Sequence, residues 1–410
     1  MIFISTFFKK ILTFVVIILF LVSFSSSYNA LSIEKLAYVV AIGIDVSDKN
    51  QYSFSFQFTN ITSNTESGTS EKSPSIVNSV DASSIGSAIN LMNTYIGKKL
   101  NLSHCKVIVF SEQVANEGIS NHIYTLMNDS QIRPSANIVV SKCNAKYYIE
   151  NSKPILENLI TKYYDIFPSS SDYTAYTVNA TIGDFLNTLE CKTCNPVAIL
   201  GGMNTEDLKS LTDLTQIEDS SNKSNESTIS GKRGAENIGL AVFKNDKLVG
   251  ELDALNCLSY LNMSNKVNSF FVSIPDPLNQ NSYIDLYLSH THLNDISIDT
   301  SNSSPYIKVK LSYTAKIYSM GDNSKYLDDK VLEEISKSCN SYLESTFSNY
   351  LYKTSKEFKS DINEFGKYAL SKFLTTQDFQ NYNWNENYKN AFFDVEVDTC
   401  VKSSMSLTET

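Results

Sequence analysis

Cys191-Lys-Thr-Cys194 is the one Cys-x-x-Cys in the chain. Two thiols at that spacing serve as half of a zinc site or as a redox pair. No second pair completes a zinc site, and no thioredoxin-like strand precedes this one. Two incidental thiols or a disulfide remain as readings. His290-Thr-His292 offers two imidazoles that strand alternation would place on one face. Asp295 is the only third ligand nearby in sequence, so a solvated histidine pair is the plainer reading. His104-Cys105 has the residue types of a nucleophile and its base, but adjacent strand residues point to opposite faces. Gly201-Gly202 and Gly231-Lys-Arg-Gly234 match neither phosphate-loop spacing, and there is no G-x-S-x-G. Asp45 and Asp253 are single carboxylates that read as turn or cap residues. Trp384, the only tryptophan, reads as a packing anchor rather than an exposed contact. These residues predict no catalytic, cofactor-binding or metal-binding site.

The elements that would position them are legible in part. Residues 36–60 read as two strands around Ser47-Asp48-Lys49-Asn50, with Tyr52, Phe54, Phe56 and Phe58 alternating on one face. Residues 60–77 read as a polar loop and 83–100 as a helix. Residues 105–110 then form a strand, 111–128 a helix capped by Ser111, and 136–142 a second strand. Strand, helix, strand over that length predicts a parallel pair. More helix is expected at 145–165 and 181–189, and a strand at 197–202. Residues 204–235 are polar and aperiodic, as in a linker or long surface loop. A hairpin around Lys244-Asn245-Asp246, a short helix and three strands follow. The longest helix, 329–358, carries Val331, Leu332, Ile335, Cys339, Tyr342, Leu343, Tyr350 and Leu351 on one stripe. A helical stretch around Gly366 and a closing strand complete the chain.

The 410 residues exceed one ordinary domain. Tyr (24) and Phe (22) are abundant, which favours sheets. A net charge of −10 excludes an electrostatic footprint for nucleic acid and means that a body held at an anionic membrane needs a physical anchor. The seven cysteines are odd in number and scattered, unlike a disulfide scaffold. Lys9 and Lys10 precede the uncharged stretch 11–24, which is signal-peptide anatomy. As a helix that stretch spans roughly 21 Å, short of the ~30 Å hydrocarbon core, although continuation to Leu31 nearly crosses it. It is therefore either a cleaved signal, with Ser25 and Ser27 at the cut, or an uncleaved anchor. Either way the bulk of the chain is exported.

Four blocks, in order, resemble the C-subunit family of spore-germination receptors, Ger(x)C. They are "IEKLAYVVAIGID", residues 102–142 with Asp129-x-x-Ile132-Arg133, residues 239–263, and "KSDINEFGKYALSKF" with "NWNENYKNAFFDVEVD". The resemblance covers nearly all of residues 27–400. It implies a three-domain, mixed α/β and α+β body of mixed sheets packed by helices, after an N-terminal hydrophobic segment. It also implies a non-catalytic role without cofactor, on the outer face of the spore inner membrane, with membrane-embedded A-type and B-type receptor subunits as partners. Ser27 stands where the family has its lipidated cysteine, and a hydroxyl cannot replace that thiol, so no lipidation is expected there and the uncleaved helix is the expected anchor. The expected divisions are 1–30, signal or anchor; 31–203, N-terminal α/β domain; 204–278, linker with a middle hairpin and helix; and 279–410, antiparallel sheet with the long helix. The competing reading is an exported binding or adhesion protein of vegetative cells, and a third is a secreted hydrolase.

Overall fold

The computed structural model describes residues 10–18, 20, 32–48, 51–59, 75–154, 156–157, 159–203, 223–224, 234–319 and 328–402. The candidate cleavage site at Ser25 and Ser27, where no lipidation is expected, and most of Gly231–Gly234 lie outside them. Residues 10–18 are helical, and their apolar side chains are exposed, Leu12 by 66% and Phe14 by 65%. Among the described residues no helix is long and apolar enough to cross a membrane.

Two mixed sheets packed with helices form the body. The first has nine strands in the order β3-β2-β1-β5-β6-β7-β8-β9, with β4 paired to β1. Its strands β1 (Leu36–Ser47), β5 (Val107–Ser111), β6 (Asn137–Ser141) and β7 (Val197–Met203) are parallel. The expected parallel pair is therefore present as β5 and β6. Strand β2 (Gln51–Phe58) returns antiparallel to β1, and β3 (Ile76–Ala82) pairs with β2. The polar loop read over 60–77 overlaps only the first two residues of β3, and the rest of the strand carries no sequence signal, because an edge strand half-covered on its faces shows little apolar alternation. β4 is only Lys99–Asn101.

Alternation along the parallel strands splits their side chains between two cores. Val107, Val109 and Val139 face one, and Ile108, Phe110, Ile138 and Val140 the other. Helices α1 (Ile85–Ile96), α2 (Glu112–Glu117) and α3 (Ser120–Met127) cover the second face. The single helix expected at 111–128 is two, because Gly118 has φ +119° and ends the first. Ser111 does cap it, accepting from Val114 N. The helix expected at 145–165 is likewise split into α4 (Ala145–Asn151) and α5 (Ile160–Ile166), with Pro154 between them. α6 (Ile182–Glu190) leads to Cys191.

The hairpin of β8 (Ala235–Lys244) and β9 (Lys247–Leu252) turns at Asn245, φ +56°, and pairs onto β7. The polar segment 204–235 thus connects neighbouring strands of one sheet. Helix α7 (Ala254–Met263), capped by Asp253, follows and is almost wholly buried.

The second sheet runs β10 (Ser269–Asp276), β11 (Asn279–His290), β13 (Tyr306–Ser319), β12 (Asp295–Asp299), with β14 (Phe392–Lys402) on β13. β14 is parallel to β13, which corrects the expectation of an antiparallel C-terminal sheet. The reason is the long helix α8 (Asp329–Tyr352), which carries the chain back so that β14 starts at the same end as β13. Of the expected stripe, Ile335, Cys339, Leu343, Tyr350 and Leu351 are buried, Val331, Leu332 and Tyr342 are half-buried, and Phe347 joins the buried face. One continuous apolar core runs from Val109 and Val139 of the first sheet through Leu258 and Leu261 of α7 to Ile284, Val309 and Ile335 of the second.

Candidate functional site

Three places gather polar residues that sequence patterns single out, and each uses them for packing. The first is the carboxyl end of the parallel strands. Asp45 ends the buried part of β1, and its two oxygens accept from Ala145 N at 2.7 Å and Lys146 N at 3.0 Å. It caps α4 from one hundred residues away. Burial raises its pKa, against the backbone donations of Lys146 and Ala145. Gly201 is not part of a phosphate loop. It lies within β7, where a Cβ would stand 2.6 Å from Val139 Cγ1 and 2.9 Å from Tyr148 Cε2. The glycine lets α4 lie close on the sheet.

The second place is the corner around His290. Its Nε2 lies 2.9 Å from Asn262 Oδ1, which also accepts from Tyr313 OH at 2.9 Å. Asn262 is fully buried. β11 ends at His290, so the expected alternation does not reach His292, whose Nδ1 lies 2.9 Å from its neighbour's carbonyl, Leu293 O. Burial and then the His292 charge lower the His290 pKa to about 4. Among the described residues no three His, Cys, Asp or Glu side chains are placed to hold a metal ion. His104 and Cys105 precede β5 rather than lying on it. His104 sits edge-on to Tyr38, and burial pushes the Cys105 thiol up to about 12.

The third place is the seam where the C-terminal helices meet the Cys191–Cys194 loop. The two sulfurs form a disulfide, with Cα atoms 5.3 Å apart. Helices α9 (Phe365–Leu370), α10 (Thr376–Tyr382) and α11 (Trp384–Tyr388) pack beside it. Trp384 is 2% exposed, an internal anchor as expected, and its Nε1 donates to Asp361 Oδ2 at 2.8 Å. Gly366 N donates to the same oxygen at 2.8 Å, and Phe365 N to Oδ1 at 3.1 Å. Burial raises the Asp361 pKa to about 6, and the three donors work in the opposite direction. Asn385 Nδ2 reaches across to Lys192 O at 2.9 Å. A shallow groove of about 340 Å³ between Cys191, Thr193, Leu370, Phe379 and Trp384 marks the line of contact.

Asp361 had not been singled out as a polar centre by residue type, since one Asp in a polar stretch carries no pattern. Its signal was the Asp-Ile, Phe-Gly and Trp order of the C-terminal block, whose members the fold brings into one cluster. Nearby, Asn363 accepts from Tyr350 OH at 2.6 Å and donates to Ser264 Oγ at 2.7 Å. Ser360 Oγ donates to Phe243 O at 2.7 Å. The segment 360–366 therefore ties the second sheet's helices to β8 and α7 of the first. Its side chains hold the body together, and the Asp361 carboxylate, 1% exposed, has no open face for a substrate.

Both halves of the chain match one group of proteins. Residues 29–200 match the spore germination protein N-terminal domain, and residues 238–405 match the domain described as spore germination B3/GerAC like, C-terminal. The chain is 25% identical to spore germination protein KC of Bacillus subtilis over 406 residues, covering 96% of each. Its fold is similar to the crystal structure of the GerBC protein, with a TM-score of 0.52 and 14% identity over 88% of this chain and 96% of that one. The chain belongs to the GerAC-like family of spore germination proteins, the C subunits of germinant receptors.

Proposed function

We infer that the protein is a non-catalytic, membrane-tethered subunit of a nutrient germinant receptor. It works by assembling with membrane-embedded A-type and B-type subunits on the outer face of the spore inner membrane. The observation that carries this reading is the match of both halves, in order and over nearly the whole chain, to spore germination proteins. The side-chain chemistry is in keeping with it. The buried carboxylates Asp45 and Asp361 and the half-buried His290 are each engaged by backbone or side-chain partners in packing roles.

The tether is the apolar stretch 11–24, kept uncleaved, in place of the lipid that Ser27 cannot accept. The test is in spores. The protein should copurify from detergent-solubilised spore membranes with an A/B-type pair, and its deletion should block the response to at least one nutrient. Normal germination on every nutrient tried, with no such partners recovered, would refute the assignment. Mass spectrometry of the mature N-terminus tests the tether separately. A chain beginning at Met1 is expected, whereas a start at Tyr28 or a lipid mass would refute the anchor.

A further inference from the structure

The end of the first sheet where β1 begins carries exposed side chains that the packing does not use. β1 and β4 start there side by side, with Leu36 opposite Lys99. α1 runs back to the same end and stops at Ile96. β5 and β6 also begin there, Val107 beside Ala41 and Asn137 beside Val107. Leu102 N donates to Gln131 Oε1 at 3.0 Å, which ties the loop before β5 to the loop before β6. On this end Ile33 is 64% exposed and Tyr95 is 78% exposed. Lys35, Lys98, Lys99 and Arg133 are exposed beside them.

The charge here runs against the rest of the molecule. With Lys106, five cations stand against four carboxylates, Glu34, Asp129, Asp165 and Asp184, the last held beside Arg133 by the bond from Gly183 N to Pro134 O, in a chain whose net charge is −10. Asp165 is bound by Lys106 at 2.8 Å, and Asp129 accepts from Gln131 N at 2.9 Å. The apolar stretch 11–24 joins the body at this same end. Only residues 25–32 intervene, a covalent reach of about 28 Å at most.

We propose that this end is a membrane-docking face that takes anionic phospholipid headgroups. The proposal rests on the tethered reading above and adds an orientation to it. A tether alone leaves the body free to tumble. A basic end next to the tether is drawn to an anionic leaflet, while the acidic remainder is repelled. An exposed tyrosine and isoleucine among those cations match the headgroup level, where amphipathic rings settle.

The test uses the full chain with Tyr95→Trp, reconstituted into vesicles containing acyl-brominated phosphatidylcholine, with or without phosphatidylglycerol. The native Trp384 is 2% exposed and serves as the unquenched reference in the unsubstituted chain. The introduced indole should be quenched about twofold when phosphatidylglycerol is present, as expected for a ring some 5–10 Å into the interface. Molar salt should reverse this, and so should Lys35→Gln, Lys98→Gln, Lys99→Gln and Arg133→Gln combined on the same background. A chain that floats with both vesicle types but shows no quenching, or equal quenching in both, would overturn the docking face alone. A chain that fails to float even with neutral vesicles would overturn the tether, and the face with it.

Discussion

Replacing Trp384 with phenylalanine tests the polar half of the seam. The indole donates to Asp361 Oδ2 at 2.8 Å inside a fully buried cluster. Burial sets the Asp361 pKa at about 6, above the 3.8 of an ordinary aspartate. The folded chain thus holds this proton to higher pH than the unfolded chain does. Stability consequently falls as pH rises from the unfolded value through about 6. Trp384 limits that loss by stabilising the charged form, so its removal should cost more where the carboxyl is ionised. A hydrogen bond to a charged group is worth about 1.5–3 kcal/mol and one to a neutral group about 0.5–1.5. Loss of the larger ring's packing adds about 1 kcal/mol at any pH. Trp384→Phe should therefore cost about 3 kcal/mol at pH 8 and about 2 kcal/mol at pH 5. Urea titrations of both proteins at the two pH values measure this. Far-UV circular dichroism is the appropriate signal, since the substitution removes the only tryptophan. A cost equal at the two pH values, or below about 1 kcal/mol at both, would refute the assigned role of the pair.

Gly366→Ala would place a methyl 2.8 Å from Thr193 Cβ and 2.9 Å from the Trp384 ring, so it should lower stability by about 1–3 kcal/mol in the same urea assay. An unchanged midpoint would mean that the two sides of the seam part freely. Alkylation in denaturant should label five thiols before reduction and seven after, matching the Cys191–Cys194 bridge and five free cysteines. Seven labelled without reduction would refute the bridge. His290 has a folded pKa lowered to about 4 from 6.5, so the unfolded chain takes up the proton first and stability falls as pH drops through that range. His290→Asn should flatten this fall by about 2 kcal/mol, a figure reduced for the ring's partial exposure. Parallel stability curves for the two proteins would contradict it.

The sequence discloses elements whose periodicity is driven by burial. β2 shows Phe54, Phe56 and Phe58 on one core, and α8 shows its stripe because one face alone packs. It hides elements with no such asymmetry. β12 exposes most of its residues, and β3 is an edge strand without a fully covered face. Helix breaks were missed where the breaker was single and the apolar spacing carried on past it, as at Gly118. The seam was legible only as an ordered set of residue types. Asp361, Gly366 and Trp384 are spread over two dozen positions, and no local pattern says that they converge. Thr193 and Asn385 are farther apart still, and their nearness is a product of the packing of two sheets.

The stretch Ile42-Gly43-Ile44-Asp45 shows how a motif that suggests chemistry can encode docking. In open α/β sheets, ligands bind at the carboxyl ends of the strands where strand order reverses. Here β1, β5, β6 and β7 are laid down successively in one direction, so no reversal opens a crevice between them. Alternation sends Ile42 and Ile44 into the core under α1, α2 and α3. It sends Gly43 and Asp45 to the opposite face, where α4 lies. A Cβ on Gly43 would stand 2.9 Å from Ile149 Cδ1 and 3.3 Å from Ala145 Cβ, so the glycine sets how closely the helix approaches. Two residues on, Asp45 takes the first free N–H groups of that same helix. One face of four residues thus fixes both the distance and the axial position of α4, and α4 closes the strand ends where a ligand site would otherwise form. A carboxylate already bonded to two backbone donors and covered by the helix that supplies them can neither accept a substrate proton nor reach one.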